Sequence, residues 1–489
     1  MAFISMQGIS LAFIRVPLFD GVNLTIERGE KVGLVGRNGS GKSTLLRLIE
    51  GSVKPDSGAV SVQKGVRSAY LSQDVPHELP GTVFDVVASG SREYVDLSTR
   101  NPSPSTRLLH EGTPPLREEL DRIHDNLDTE GVWYKREQVS KSLSQLGVDA
   151  GRAFSSLSAG LKRQVLLTRA LVGEPDILLL DEPSNHMDID SIKELEQMMV
   201  RFTGALIFVT HDRMFLQRIA TRIVEIDRGR LFDQTCDYET FLVRRSADRQ
   251  AEETKNALFD RKLQQEEHWV RGGIKARRTR NEGRVRELEK MREMRSSRRD
   301  RPKNVKMEAQ EAERSGTLVA KADNIGFNYG DTQVISKFST TILKGDRIGI
   351  LGPNGSGKTT LLRLLLGMLS PVTGTIRLGT NLQISYSDQL LEQLDENKTA
   401  IENVGDGTDT VTVNGKTRHI VGYLQDFLFS PDQARSLVSV LSGGERNRLM
   451  LARLFTLPSN LLVLDEPTND LDVETLDLLE DLLMSYAGT

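Results

Sequence analysis

Gly36-Arg-Asn-Gly-Ser-Gly-Lys-Ser43 and Gly352-Pro-Asn-Gly-Ser-Gly-Lys-Thr359 decide the fold. Both have the spacing of a phosphate-binding loop, in which glycines let backbone N–H groups converge on phosphate oxygens. Each loop follows an apolar run, residues 32–35 and 348–351, that reads as a buried strand. Each opens an apolar-periodic helix whose N-terminal dipole favours bound anions (Leu45, Leu46, Leu48 and Ile49; Leu361, Leu362, Leu364 and Leu365). The cradle is therefore expected from Gly36, Asn38, Gly39, Gly41, Lys42, Ser43 and Thr44, and again from Gly352, Asn354, Gly355, Gly357, Lys358, Thr359 and Thr360. Lys42 and Lys358 would meet the β/γ-phosphates, and the Ser43 and Thr359 hydroxyls could ligate Mg²⁺.

Outward from the loops, the chain repeats itself. An aromatic residue (Phe13, Tyr329) precedes each loop by the same interval. A glutamine (Gln73, Gln389) follows each lysine by the same interval, and a Leu-Ser-x-Gly segment from Leu157 or Leu441 stands at one fixed distance before an aspartate (Asp181, Asp465). Equal offsets at three places point to duplication. One interval differs: the first copy carries about 32 extra residues between Gly90 and Leu146. Part of that insertion reads as a helix (Leu116, Leu120, Ile123, Leu127), preceded by a Pro/Ser/Thr-rich loop at 101–115. A tolerated surface insertion and a partner-touching arm both fit.

Ile177-Leu-Leu-Leu-Asp181-Glu182 and Leu461-Leu-Val-Leu-Asp465-Glu466 each set two carboxylates at the end of four apolar residues. Such runs suit strands of a parallel sheet, whose C-terminal ends carry the ligands of α/β folds. Asp181 and Asp465 would belong to the metal shell, while Glu182 and Glu466 would orient the attacking water. His211 follows the apolar run 205–209 and is placed to contact a γ-phosphate.

Leu441-Ser-Gly-Gly-Glu445 reads as a helix capping box with bare glycine amides. At this point the set resembles the ABC ATPase superfamily: phosphate loop, glutamine loop, Leu-Ser-Gly-Gly signature, Asp-Glu strand end, D-loop and one switch histidine. The resemblance implies an α/β fold with two tandem P-loop ABC ATPase domains, each with a mainly parallel sheet and a helical subdomain. It also implies that the signature of one domain covers ATP bound to the other. Site one would join Phe13, Lys42, Ser43, Gln73, Asp181, Glu182 and His211 with Ser442, Gly443 and Gly444. Site two would join Tyr329, Lys358, Thr359, Gln389, Asp465 and Glu466 with Ser158 and Gly160. The aromatics would stack on adenine, and Gln73 and Gln389 would reach both metal and water. Site two departs from the pattern: Ala159 replaces a glycine, Leu161 removes the capping acid, and a switch histidine would fall at about position 495, beyond Thr489. The second copy is thus expected to lack a core strand and to look truncated.

The copies span 1–243 and 317–489, with 244–316 between them. The net charge of −4 hides 14 Lys/Arg against 5 Asp/Glu between Val270 and Lys303. Residues 249–271 and 283–298 read as two helices broken at Gly272-Gly273, a basic helical hairpin. Its excess charge suits nucleic-acid phosphates, through Lys275, Arg277, Arg278, Arg280, Arg284 and Arg286. One cysteine, Cys236, excludes an internal disulfide and fits the cytoplasm. No apolar run reaches the roughly 18 residues of a membrane span.

Tandem ABC domains, an insertion and a basic linker together resemble the ABC-F family, with further likeness in residues 258–262, 273–286 and 422–429. That resemblance implies a monomer with an intramolecular sandwich that binds the ribosome, its rRNA and tRNA. An ATPase acting on branched DNA, a transporter subunit and a non-functional fragment remain alternatives.

Overall fold

The computed structural model describes residues 2–13, 16–73, 79–91, 132–271, 278–297, 316–387, 394–405, 407–413, 416–468 and 471–489. The expected insertion helix and its preceding loop, Gln389, the Gly272-Gly273 break, Lys275 and Arg277 lie outside the described residues.

In the first domain β1 (Ala2–Phe13), β2 (Val16–Glu27) and β4 (Ser57–Val62) form an antiparallel sheet in the order β2-β1-β4. The main sheet has the order β5 (Ser68–Leu71), β6 (Ile177–Asp181), β7 (Ala205–Val209), β3 (Lys31–Val35), β8 (Arg222–Asp227), β9 (Arg230–Gln234). All its neighbours are parallel except the β8–β9 edge pair. Every residue of β6 and β7 is buried, because both faces of the sheet are covered. Alternate side chains serve two cores. Leu178, Leu180, Leu206 and Phe208 pack toward the helical subdomain. Ile177, Leu179, Ala205, Ile207 and Val209 pack toward the helix Lys42–Glu50 and the antiparallel sheet.

The register brings the reactive strand ends into one row: Leu34 of β3 and Asp181 of β6 both pair with Val209 of β7. The phosphate loop, Asp181-Glu182 and His211 therefore leave the same edge of the sheet.

The second domain repeats the antiparallel sheet with β10 (Leu318–Tyr329), β11 (Thr332–Leu343) and β12 (Thr373–Leu378). Its parallel part consists of β13 (Ile384–Tyr386) beside the three-residue β16 (Leu461–Val463). The strand expected at 348–351 is not formed, which corrects the sequence reading. In the first domain β3 draws its hydrogen bonds from β7 and β8. Residues 348–351 have no described strand to pair with. Ile348 is 54% exposed and Leu351 81%. An apolar run alone does not make a strand; its backbone groups need partners.

The signature helices Ala159–Val172 and Gly443–Thr456 stand in the helical subdomains. The extra residues of the first copy fall between Thr82 and Ala153, a bridge matched in the second copy by Thr399 and Leu437. A hairpin of β14 (Thr410–Val413) and β15 (Lys416–His419) packs on the second subdomain.

Helix Tyr238–Arg271 runs unbroken across position 244 and pairs with helix Arg278–Ser297. Leu288 and Met291 are buried, and Arg292–Glu267 at 3.0 Å and Arg295–Asp260 at 3.2 Å tie the two helices side by side. Part of the basic excess is thus spent inside the hairpin. Its base is anchored by Arg245, which is 5% exposed, bonds Glu225 and Asp227 of β8, and lies 4.4 Å over the Phe232 ring.

Candidate functional site

Gly41 adopts φ 102° at the N-cap of helix Lys42–Glu50, and Gly357 adopts φ 91° at the matching N-cap of Lys358–Leu365. This left-handed corner is cheap only for glycine, and it turns the loop amides inward over the helix end. Lys42 Nζ, buried, donates to the Gly36 carbonyl at 2.7 Å and the Arg37 carbonyl at 3.2 Å. Lys358 repeats this on Gly352 at 2.9 Å and Pro353 at 3.0 Å. Both lysines are therefore held over their own loops. Burial pulls the Lys42 ammonium below its usual range, while Glu182, Asp472 and Asp181 pull it back up.

Asp181 and Glu182 are buried at the end of β6. Burial raises the Asp181 carboxyl, and bonds from Ser43 and Tyr70 counter the rise. Its Oδ1 has no hydrogen-bond partner among the described residues. In the second domain Thr359 Oγ1 donates to Asp465 Oδ2 at 2.8 Å. One hydroxyl beside one carboxylate, with an unused buried oxygen, fits a hard divalent cation that takes its remaining ligands from phosphate and water.

Glu182 and Glu466 both adopt left-handed backbone, φ 49° and 46°. Such a conformation is costly for a non-glycine residue and concentrates at functional sites. Burial lifts Glu182 to about 7 and drops His211 to about 3. Their 3.2 Å contact (His211 Nε2 to Glu182 Oε1) thus joins a neutral imidazole to a carboxyl group, rather than two charges. The His211 backbone N–H also points at Glu182 Oε2, at 3.3 Å.

These values give opposite pH trends. Glu182 holds its proton up to about pH 7 in the fold but only to 4.5 when unfolded, so it costs stability as pH rises through that window. His211 takes up a proton below 6.5 when unfolded and only below about 3 in the fold, so its contribution improves as pH rises between those values. Glu182→Gln removes only the first trend. In nucleotide-free melts the E182Q chain is expected to exceed wild type at about pH 8, with the gap closing toward about pH 5. A gap independent of pH would contradict the burial argument.

The first site forms a cleft of about 300 Å³ lined by both domains. The first domain supplies Leu18, Asn38, Gly39, Gly41, Lys42, Ser43, Thr44, Gln73, Asp181, Glu182 and His211; the second supplies Ser442, Gly443 and Gly444. The structure therefore brings together the residues proposed for site one, Phe13 excepted. Gly36 lies beneath them, where a Cβ would stand 2.6 Å from the Ile226 carbonyl. Phe13 ends β1, but its side chain lies outside the description. Ser442 caps its helix and shares a full capping box with Glu445. Ser158 caps its own helix through the Leu161 N–H alone, at 3.4 Å. Around the second site Tyr329 packs edge-on against Phe327 and stays half exposed.

Contacts that the motifs did not indicate cross the domain boundary. Asp472 Oδ2 accepts from the Asn38 backbone N–H at 2.9 Å, and Asp188 Oδ2 accepts from the Asn354 backbone N–H at 3.1 Å. Each aspartate caps a helix of its own domain while reaching the phosphate loop of the other. Arg448 at 3.3 Å helps hold Asp472 down at about 2. Arg213 pairs with Asp477 across the same boundary. The two aspartates stand at equal offsets after Asp181 and Asp465, a signal that could have found them. As helix caps they already have a local explanation.

Arg278, Arg280 and Arg284 sit on the second linker helix with side chains outside the description, and Arg286 is exposed. Among the described residues no helix is long and apolar enough to cross a membrane.

The ABC transporter family matches residues 19–185 and 335–469, and an extension under the same description matches 224–307. The chain is 47% identical over 489 residues to the ATP-binding protein Uup of Escherichia coli, covering 100% of this chain and 77% of that protein. It is 46% identical to the protein of that name in Haemophilus influenzae, covering 100% and 76%. It is 35% identical over 478 residues to the energy-dependent translational throttle protein EttA of Mycobacterium tuberculosis, covering 96% and 84%.

Proposed function

Because the chain belongs to the ABC-F family of ATP-binding proteins, we propose that it hydrolyses ATP at two sites completed across its domain boundary and uses the resulting motion on the ribosome. The observation that carries this reading is the first cleft, where Lys42, Glu182 and His211 face Ser442, Gly443 and Gly444 of the other domain.

The roles follow from position. Loop amides and Lys42 hold the β- and γ-phosphates. Amides at the start of helix Gly443–Thr456 cap the γ-phosphate from the far side, where the helix dipole favours negative charge. The Glu182 carboxylate orients water and accepts its proton, while His211 fixes that carboxylate and faces the γ-phosphate. A Mg²⁺ held by Ser43 and Asp181, or by Thr359 and Asp465, would neutralise phosphate charge. Gln73 and Gln389 are assigned to water and metal at their respective sites. Hydrolysis to ADP and phosphate removes the group that both domains grip, so the domains part. Site two uses Tyr329, Lys358 and Glu466 with Ser158 and Gly160, under the added methyl of Ala159.

The basic hairpin is rooted on β8, directly beside the phosphate-loop strand, so closure re-aims it. A relative named as a translational throttle supports the ribosome as its target. The protein would act as a monomer in the cytoplasm. Co-sedimentation with ribosomes is expected to need a non-hydrolysable ATP analogue. Neutralising Lys275, Arg277, Arg278 and Arg280 should weaken it and reduce the log–log salt slope by about 3, at roughly 0.7–0.9 per phosphate contact. Binding unchanged by these substitutions, or displaced by branched DNA at equal concentration, would count against the ribosomal reading.

A further inference from the structure

At site one the imidazole beside the hydrolytic glutamate comes from the same domain: His211 stands 3.2 Å from Glu182. At site two an imidazole also approaches the glutamate, but from the other domain. His186 Nδ1 lies 3.7 Å from Glu466 Oε2. The backbone around His186 is unusual. It adopts φ 61°, the left-handed region, two residues before Asp188. Its carbonyl accepts from Asn354 Nδ2 at 2.7 Å, so the second phosphate loop grips the residue directly. The signature glycine of the first domain closes the other side. A Cβ on Gly160 would stand 2.9 Å from the His186 carbonyl and 3.0 Å from Asn354 Nδ2.

Three elements of site two, the phosphate loop, the signature and the glutamate, thus converge on one histidine. The repeat gives it no like counterpart. The matching position in the second copy is Asp470, an acid, which lies outside the described residues. A carboxylate there could not donate to Glu182, and Glu182 has His211 already.

We propose that His186 is a positioning residue for site two, delivered in trans, whose imidazole N–H holds the Glu466 carboxylate in the orientation hydrolysis requires. The proposal rests on the hydrolytic reading above. At 3.7 Å the pair is beyond hydrogen-bond range, which ends near 3.2 Å for N–H···O. An approach of about 0.5 Å as the domains close on ATP would bring it within range. The device makes turnover at site two depend on the domains being together, since the group that aims Glu466 belongs to the other lobe.

The test is single-turnover hydrolysis of pre-bound ATP by the whole chain, with one site silenced at a time. In the E182Q background only site two hydrolyses, and adding His186→Ala should lower its rate constant about tenfold while two ATP still bind per chain. His186→Gly relieves the left-handed backbone yet removes the imidazole, so it should be as slow as His186→Ala. His186→Asn tolerates the same φ and keeps an N–H donor, so it should recover most of the rate. In the E466Q background, where only site one hydrolyses, His186→Ala should change the rate less than about twofold. A His186→Gly chain as fast as its parent would overturn the proposal, as would equal losses at both sites. Hydrolysis absent from E182Q but present in E466Q would also overturn it and would confine the ATPase reading to site one. Hydrolysis absent from both would overturn that reading too.

Discussion

Glu182→Gln is expected to lower hydrolysis at site one by about 10²–10⁴-fold, the usual contribution of a positioned proton acceptor, while leaving ATP bound. Glu182 is 4% exposed, strained at φ 49°, and faced by His211 and Lys42 rather than by solvent. A carboxyl in that setting costs stability whenever it is charged, so its retention there needs a functional reason. Glutamine keeps the shape and loses the capacity to take a proton. Because the phosphate loop, Ser43 and the trans glycines are untouched, nucleotide should persist and keep the domains closed. Nucleotide retention and phosphate release, measured on the same sample, give the two halves of this expectation. A variant that still releases phosphate at the wild-type rate would remove Glu182 from the mechanism.

Gly443→Asp should reduce hydrolysis at site one by about 10²–10³-fold, as the loss of one oxyanion donor does elsewhere, with little change in folding stability. A Cβ added at Gly443 meets nothing within 4 Å, so the substitution does not crowd the fold. The residue opens helix Gly443–Thr456, where an added acid gains about 0.3–1 kcal/mol from the helix dipole. What the carboxylate does disturb is the cleft, since it points where the γ-phosphate would be capped. Thermal melts without nucleotide should match wild type, while ATP should raise the melting temperature less than it does in the parent, since site two is untouched. If ATP still stabilises the variant fully, Gly443 does not contact the nucleotide.

The sequence was most readable where chemistry is local. The phosphate loops, the ends of β6 and β16 and the capped signature helices each carry their meaning within ten residues, and the repeat confirmed each against the other. It was least readable where meaning depends on distant partners. Residues 348–351 have the same apolar character as β3, yet they form no strand. The hydrogen bonds that hold β3 come from β7 and β8, some 170–190 residues further along the chain. Asp188 and Asp472 were hidden for the opposite reason. Each has a sufficient local role as a helix cap, so nothing in the sequence demanded that they also bind Asn354 and Asn38. His186 carries no local signal because its partner Glu466 belongs to the other copy. The basic linker was legible as charge, but not as the buried Arg245–Glu225–Asp227 cluster that fixes its base to the sheet.

The central claim is that glycine amides of the second domain close over phosphate held by the first. The most direct measurement is an experimental structure of the E182Q chain with ATP and Mg²⁺. The account expects the γ-phosphate between Lys42 and the backbone N–H groups of Gly443 and Gly444, all at hydrogen-bond distance of about 3 Å. ATP seated on the Lys42 loop with residues 442–444 turned away, and solvent between the domains, would contradict it.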